Sequence, residues 1–501
     1  MASAHFAGLD WTIIAAYFAL LTWIGYRVSG RQDSAQEYFL ASRSLPWYAV
    51  SASIVATAIS GVTFIGVPAL VFAQGGDFRY LQFSLAGLIA KWILGQWILP
   101  RLYEKNYTSP YEFIRDRLGP AFGAISTVLF FIGAVLGQGV RVFAVALVLE
   151  LLTGLSMAWC VVIIVGFSTL HTWLGGIRAV VWTDVVQFFV FIAGGLLAVA
   201  FVSELLPGGF AALVESGEAA GKTRVLDFTA DPLLSFTFWT GVVAMPFQYL
   251  AAFGTDQLHT QRMLCCRSIG QARLAVYTSN VGELVVVVFL FVGLALGSFY
   301  ELQPLEPSLE ALVQAAADRV FPVFIITELP VGLRGLLVAG VFAAAMSSLD
   351  SLLAALSQTT LSMFHPGYRD GSLGDARAVM LSRLLVAAWG VVLGAFAVSL
   401  AGTDRGLVPL AFAMTAYTYG PMLGLLLLAL WVPRERITSA PLGVGVSLLG
   451  VFLVHNAQLL GFTSERELVA FPWLFPLGVS LCVVFAILPW RRASTLSPGA
   501  A

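Results

Sequence analysis

Residues Ala343-Ala344-Ala345-Met346-Ser347-Ser348-Leu349-Asp350-Ser351 lie inside the apolar run Val331–Phe364. On a helix, Ala344, Ser347, Ser348 and Ser351 fall at i, i+3, i+4 and i+7, on one face. Asp350 flanks that face, one turn from Ser347. The result is a stripe of hydroxyl oxygens beside a carboxylate, with alanines that let another backbone come close. Hard cations take oxygen ligands, and ion sites inside membranes draw them from hydroxyls and unwound carbonyls. Small-residue packing between helices accounts for the alanines and serines. It does not account for Asp350, because a carboxylate at the centre of a bilayer costs roughly 2.5–3.5 kcal/mol.

The rest of the chain has the composition such a helix needs. Hydrophobic residues make up 59% of the 501 residues and charged residues only 11%. Mean hydropathy is +0.87. A soluble domain carries about a quarter charged residues, so lipid must replace water over most of this surface. The formal net charge of -1 gives no basic balance for nucleic acid. Cys160, Cys265, Cys266 and Cys482 show neither a disulfide framework nor metal-ligand spacing.

A spanning helix needs about 20 apolar residues. Thirteen candidates follow: Thr12–Tyr26, Trp47–Ala73, Tyr80–Leu99, Ile125–Leu152, Ala158–Trp173, Val181–Leu205 and Phe236–Phe253. The remainder are Val276–Phe299, Val331–Phe364, Val379–Leu400, Leu407–Leu430, Leu442–Val454 and Phe471–Trp490. No Lys or Arg precedes the first run, whereas Arg27 and Arg31 follow it. That order opposes a cleaved signal peptide and fits a first helix with its N-terminus outside. On this count the inside segments hold eighteen of the 27 Lys and Arg and the outside segments seven. Arg334 and Arg383, at the ends of their runs, are counted with the adjoining segments, which leaves Lys91 and Arg141 deep within spans. The C-terminus is then inside, in a multi-pass plasma-membrane protein. The two long outside connections, near 207–232 and 300–330, are acidic, and Ser308–Val320 has the spacing of a surface helix. Neither end reads as a soluble catalytic domain.

A second polar element is Ser51-Ala52-Ser53-Ile54-Val55-Ala56-Thr57-Ala58-Ile59-Ser60-Gly61-Val62-Thr63. Ser, Thr and Gly crowd where a spanning helix usually places Leu. The stretch reads equally as a packing face or as a helix broken near Gly61 that offers free carbonyls. An inverted repeat would place a second broken helix five spans later, in Phe236–Phe253, which holds Gly241 and Pro246.

Four stretches together resemble the sodium:solute symporter family. They are Leu174–Gln187 (LGGIRAVVWTDVVQ), Gly254-Thr255-Asp256-Gln257 with Gln261-Arg262, Ala344–Ser351, and Phe64-Ile65-Gly66-Val67-Pro68. The resemblance implies an all-α integral membrane protein of about 13 transmembrane helices with a five-plus-five inverted-repeat, LeuT-like core. It divides the chain into 1–46 (accessory helix and inner loop), 47–205 (first repeat), 206–235 (outside loop), 236–430 (second repeat) and 431–501 (two accessory helices). The implied function is sodium-driven symport of a small polar solute, with sodium as co-transported ion and no covalent chemistry. By motif position the sodium site falls on the carbonyls of Ala56, Ile59 and Ala344 and the hydroxyls of Ser347 and Ser348. A second sodium would use Asp184, Ser347, Asp350 and Ser351, unless Asp184 merely relays the first ion.

For the solute, the resemblance nominates Ser60, Thr63, Gln82, Arg141, Phe247 and Tyr417. Galactose-type members carry Asn and Gln where this chain has Ala58 and Thr63, which argues against a hexose. Arg141 is placed like the arginine that holds a substrate carboxylate in sialic-acid-type members, and a guanidinium matches a carboxylate with two parallel hydrogen bonds. Its alternative is a structural pair with another helix. Lys91 reads as a snorkelling or structurally paired residue. A proton-coupled permease of the same fold, and a membrane sensor that binds solute without moving it, are the competing readings.

Overall fold

The computed structural model describes residues 6–29, 34–369, 372–402, 406–461 and 468–489. Arg31, Arg405, Arg466, Arg491 and Arg492 of the loop-charge count, and Trp490 at the end of the last run, lie outside the described residues. Every apolar run forms helix. They are α1 (Gly8–Ser29), α2 (Trp47–Ala58), α3 (Val62–Phe72), α4 (Phe78–Glu104), α5 (Pro120–Thr153), α6 (Met157–Trp173) and α7 (Gly175–Leu205). After α8 (Gly209–Ala219) come α9 (Met245–Gly254), α10 (Gln257–Leu264) and α11 (Ile269–Leu302). The chain closes with α12 (Leu333–Phe364), α13 (Asp375–Ser399), α14 (Leu407–Trp431), α15 (Ala440–His455) and α16 (Phe471–Ile487). Among the described residues, eight helices are long and apolar enough to cross a membrane, or nine with α2 and α3 taken as one bent span. The remaining runs form shorter helices. The expected surface helix appears as Pro307–Ala315.

Burial sorts these helices into layers. In α12, 94% of the apolar window is buried, against 28% in α1 and in α13. The helix with the serine stripe is therefore the central post, and α1 and α13 present their apolar sides outward. An apolar helix face that exposes side chains such as Val391 needs lipid there. Asp10 ties α1 to the post: its Oδ1 accepts the amides of Gly332 (2.8 Å) and Gly335 (3.0 Å) at the start of α12. Gly335 is required there, because a Cβ would sit 2.7 Å from the Asp10 Cα.

Three spans contain a π-wound turn, Val62–Gly66, Leu94–Ile98 and Thr240–Ala244. Each is followed two residues later by a proline, Pro68, Pro100 or Pro246. A proline removes one helical donor and pushes against the carbonyl four residues back. Widening the preceding turn relieves both. The second broken helix expected over Phe236–Phe253 is therefore corrected: around Pro246 the chain widens into a π turn and runs straight into α9, with no extended residue inside it.

The glycine pair in Leu174–Gln187 is the turn joining α6 to α7. Gly176 sits at φ +58°, ψ −173°, a conformation other residues avoid. Arg178 then anchors the turn, with Nε 3.0 Å from Glu37 Oε1 and Nη2 2.8 Å from Ser44 Oγ.

Candidate solute and ion site

The helix starting at Trp47 breaks. The amide of Ile59 still bonds to Val55, but Ile59 turns extended (φ −79°, ψ 117°), and α3 leaves at 57° to α2. The last carbonyls of a helix have no intrahelical donor, so Ala56, Thr57, Ala58 and Ile59 present oxygen at the break. The serine stripe of α12 faces it. Ser348 Oγ donates to Thr57 O at 3.0 Å, and Thr57 Oγ1 lies 3.3 Å from Ser347 Oγ. Ala56, Ile59, Ala344, Ser347 and Ser348 are all buried. The five nominated sodium ligands thus come from the two elements that meet at this break.

Below them the second nominated set divides. Asp184, Ser347 and Ser351 converge, and the guanidinium of Arg262 lies between them. Its Nη2 donates to Asp184 Oδ2 (3.0 Å), to Ser347 O (3.3 Å) and to Ser351 Oγ, and its Nε donates to Ser53 Oγ (2.7 Å). Ser53 also donates to Asp184 Oδ2 at 2.5 Å. Arg262 is fully buried and ties α10 to α2, α7 and α12. Asp350 does not join this set. It turns to the other side of α12, where its Oδ2 lies 2.6 Å from His171 Nδ1 on α6.

A cavity of about 1050 Å³, open mouth included, begins at the break. Ser60, Thr63 and Arg141 line it, as expected of solute contacts. Arg141 reaches toward the serine stripe, with Nη1 3.5 Å from Ser348 Oγ. The other three nominations do not line it. Gln82 is spent on structure, with Nε2 3.2 Å from the Phe236 carbonyl and Oε1 accepting the Asp227 amide at 3.1 Å. Tyr417 points toward α15, with its hydroxyl 2.5 Å from His455 Nδ1. Phe247 packs against the surrounding core, and its neighbours Gln248 and Tyr249 face the cavity instead. On α14 the lining residues are Val408, Ala411, Phe412, Thr415 and Tyr419. One residue turns a helix by about 100°, so a slip of one or two positions trades the cavity face for another.

The sodium:solute symporter family profile matches residues 38–444. The chain belongs to this family. The symporter is 30% identical to the human sodium-coupled monocarboxylate transporter 2 over 487 residues, 96% of this chain and 76% of the relative. It is 26% identical to the sodium/sialic acid symporter SiaT of Proteus mirabilis (strain HI4320), over 91% of each chain. A solved substrate-bound, outward-open Na+-coupled sialic acid symporter superposes with a TM-score of 0.84 at 22% identity, covering 96% of this chain and 97% of that one. The fold is thus the one seen in LeuT-like sodium symporters. The chain is a sodium-coupled transporter of a small solute and not an enzyme.

In the symporter, the Gly254–Gln257 stretch with Gln261-Arg262 is a clamp. Asp256 caps α10 through the Leu258 amide (2.9 Å) and accepts the Tyr419 hydroxyl (2.8 Å) from α14. Gln257 Nε2 reaches Thr108 O (2.8 Å) and Gln358 Oε1 on α12 (3.1 Å), and Gln261 Nε2 reaches Phe39 O (2.7 Å). Two site residues escaped the sequence reading. Arg262 falls in the predicted inside loop between the runs Phe236–Phe253 and Val276–Phe299, among the eighteen inside charges. Glu283 lies within the run Val276–Phe299 and lines the cavity, as does Lys91.

Proposed function

We propose that the chain couples inward sodium movement to uptake of a small carboxylate-bearing solute by alternating access. The observation that carries this reading is the half-buried Arg141 on the cavity wall, 3.5 Å from Ser348 in the serine stripe. A carboxylate held by that guanidinium would lie beside a sodium bound by Ala56, Ile59, Ala344, Ser347 and Ser348, so each ion lowers the electrostatic cost of the other. The two relatives above are named for monocarboxylates and for sialic acid, which supports an acid as the solute. Ser60 and Thr63 are then the polar contacts beside the break.

Sodium pulls the break of α2 and α3 against α12, and solute fills the cavity beside it. Ion and solute need only favour the same conformation to be coupled. One charge moving through 100 mV contributes about 2.3 kcal/mol. Arg262 acts as a tethered cation in the set Asp184, Ser347 and Ser351, so a second sodium binds there only when that guanidinium withdraws. Counting the bent pair, the three shorter apolar helices and α9 with its π turn supports thirteen spans; the five-plus-five repeat and an outside N-terminus are read from the family resemblance and the loop charges.

Thermal melting of the purified protein with a panel of carboxylates, in sodium or in choline, tests this. A ligand of the folded state raises the melting temperature by mass action. A carboxylate that stabilises only with sodium, and not in Arg141→Ala, supports the reading. Equal stabilisation in choline overturns the sodium-site assignment in favour of a proton-coupled permease or a non-transporting sensor.

A further inference from the structure

Two charges on the cavity wall have no part in the account so far. Lys91 on α4 and Glu283 on α11 both line the cavity, and both lie far from the ends of long apolar spans. The carboxylate of Glu283 lies over Gly87, where a Cβ would stand 3.0 Å from its Oε1, and its Oε2 accepts the Ser84 hydroxyl at 2.6 Å. Ser84, Gly87 and Lys91 share one face of α4 at i, i+3 and i+7. Lys91 sits at the end of that face, buried, with Nζ 3.3 Å from the Ser279 carbonyl and 5.2 Å from the Phe253 ring centre. An ammonium offers three donors and a carboxylate about four lone-pair positions, so both groups retain unused capacity. Among the described residues no ion pair within 4.0 Å joins them. Opposite charges that line one cavity without pairing are both within reach of a molecule bound there. Ionisable groups at such depth are costly unless a ligand or partner uses them.

We infer that Lys91 and Glu283 form a second recognition point for the solute, reading a hydroxyl or amide at the end remote from the carboxylate on Arg141. The two charges cancel, so a charged group of either sign would leave one of them uncompensated. A group that gives a proton to Glu283 and accepts one from Lys91 satisfies both. The solute class is then a monocarboxylate with a distal hydroxyl or amide. This rests on the reading of the cavity as the solute site with Arg141 as carboxylate anchor.

The test is competition for sodium-driven uptake in proteoliposomes by straight-chain acids of two to six carbons. The far end is plain or carries a hydroxyl, an amide, an ammonium or a second carboxylate. Hydroxyl- or amide-ended acids should compete at least about tenfold better than the plain acid of equal length. Glu283→Gln and Lys91→Met should each abolish that preference, so that hydroxyl- or amide-ended acids compete no better than the plain acid of equal length. Ser84→Ala, which frees Glu283 without removing it, should shift the preference if the charge variants do not fold. If Arg141→Ala abolishes binding of every acid but the far end makes no difference, the inference is overturned and the carboxylate reading survives. A preference for the ammonium or the second carboxylate overturns it equally. If no acid competes in the wild type, the carboxylate reading fails and this inference with it.

Discussion

Replacing Arg262 by glutamine isolates one charge pair in the centre of the bundle. The side chains of Arg262 and Asp184 are 0% and 1% exposed, and their charged atoms lie 3.0 Å apart. Removing one partner of a buried pair leaves an uncompensated charge and typically costs about 3–5 kcal/mol. Arg262 also donates to Ser53, Ser347 and Ser351, so Arg262→Gln should fall at the upper end of that range. Asp184→Asn strands the guanidinium instead and should cost a similar amount. The double variant removes both charges and should be less destabilised than the sum by about 2–3 kcal/mol. Unfolding in detergent with choline as the only monovalent cation gives the four free energies. Sodium should then stabilise Arg262→Gln more steeply than the wild type, because Asp184, Ser347 and Ser351 are open to an ion. It should not do so in the double variant. Additive losses, or a sodium response unchanged by Arg262→Gln, would refute the idea that the guanidinium compensates Asp184.

Other consequences are simpler to measure. Asp227, in the connection after α8, has its carboxyl lowered from 3.8 to about 2, first by the Thr229 hydroxyl and amide and then by Arg79. A depressed carboxyl contributes stability above its unfolded value, so melting temperature should fall as pH drops from about 4 to 2, and Asp227→Asn should flatten that fall. Asp318 is raised to about 6 by burial, against its bond to the Leu407 amide. Its contribution has the opposite sign and declines as pH rises from about 4 through 6. Asp10→Ala removes the cap on α12 and should cost about 1–2 kcal/mol in thermal or denaturant unfolding while leaving the apparent KM for sodium unchanged. Tyr417→Phe should leave the solute KM in uptake assays unchanged, whereas Thr63→Val should raise it.

The sequence carried the helices well, because long apolar runs are their own evidence, and each run named from composition became a helix. Crowded Ser, Thr and Gly leave a packing face and a helix broken near Gly61 equally open, and the structure breaks the helix at Ile59-Ser60; the serine stripe is legible as a period of three and four. What it lacked was rotation and partnership. Phe247 and Tyr417 sit one or two residues from cavity-lining positions, and nothing in a single apolar helix reports which face meets a neighbour 150 residues away. Arg262 passed as an inside loop charge because a charge-bias count treats every arginine as facing water. Glu283 was lost among the valines and leucines around it, although one carboxylate in an apolar run is itself the warning. The family resemblance groups Asp350 with Asp184, Ser347 and Ser351, but its carboxylate leaves α12 on the side facing His171.

The most direct test of sodium-driven carboxylate symport is uptake into proteoliposomes holding the purified chain. A panel of labelled organic acids is presented at fixed pH with an inward gradient of sodium or of choline. Accumulation of one acid in sodium only, slowed at low sodium in Ser348→Ala and absent in Arg141→Ala, is the predicted result. Equal accumulation in choline, or sodium-driven accumulation of a neutral solute untouched by Arg141→Ala, would contradict it.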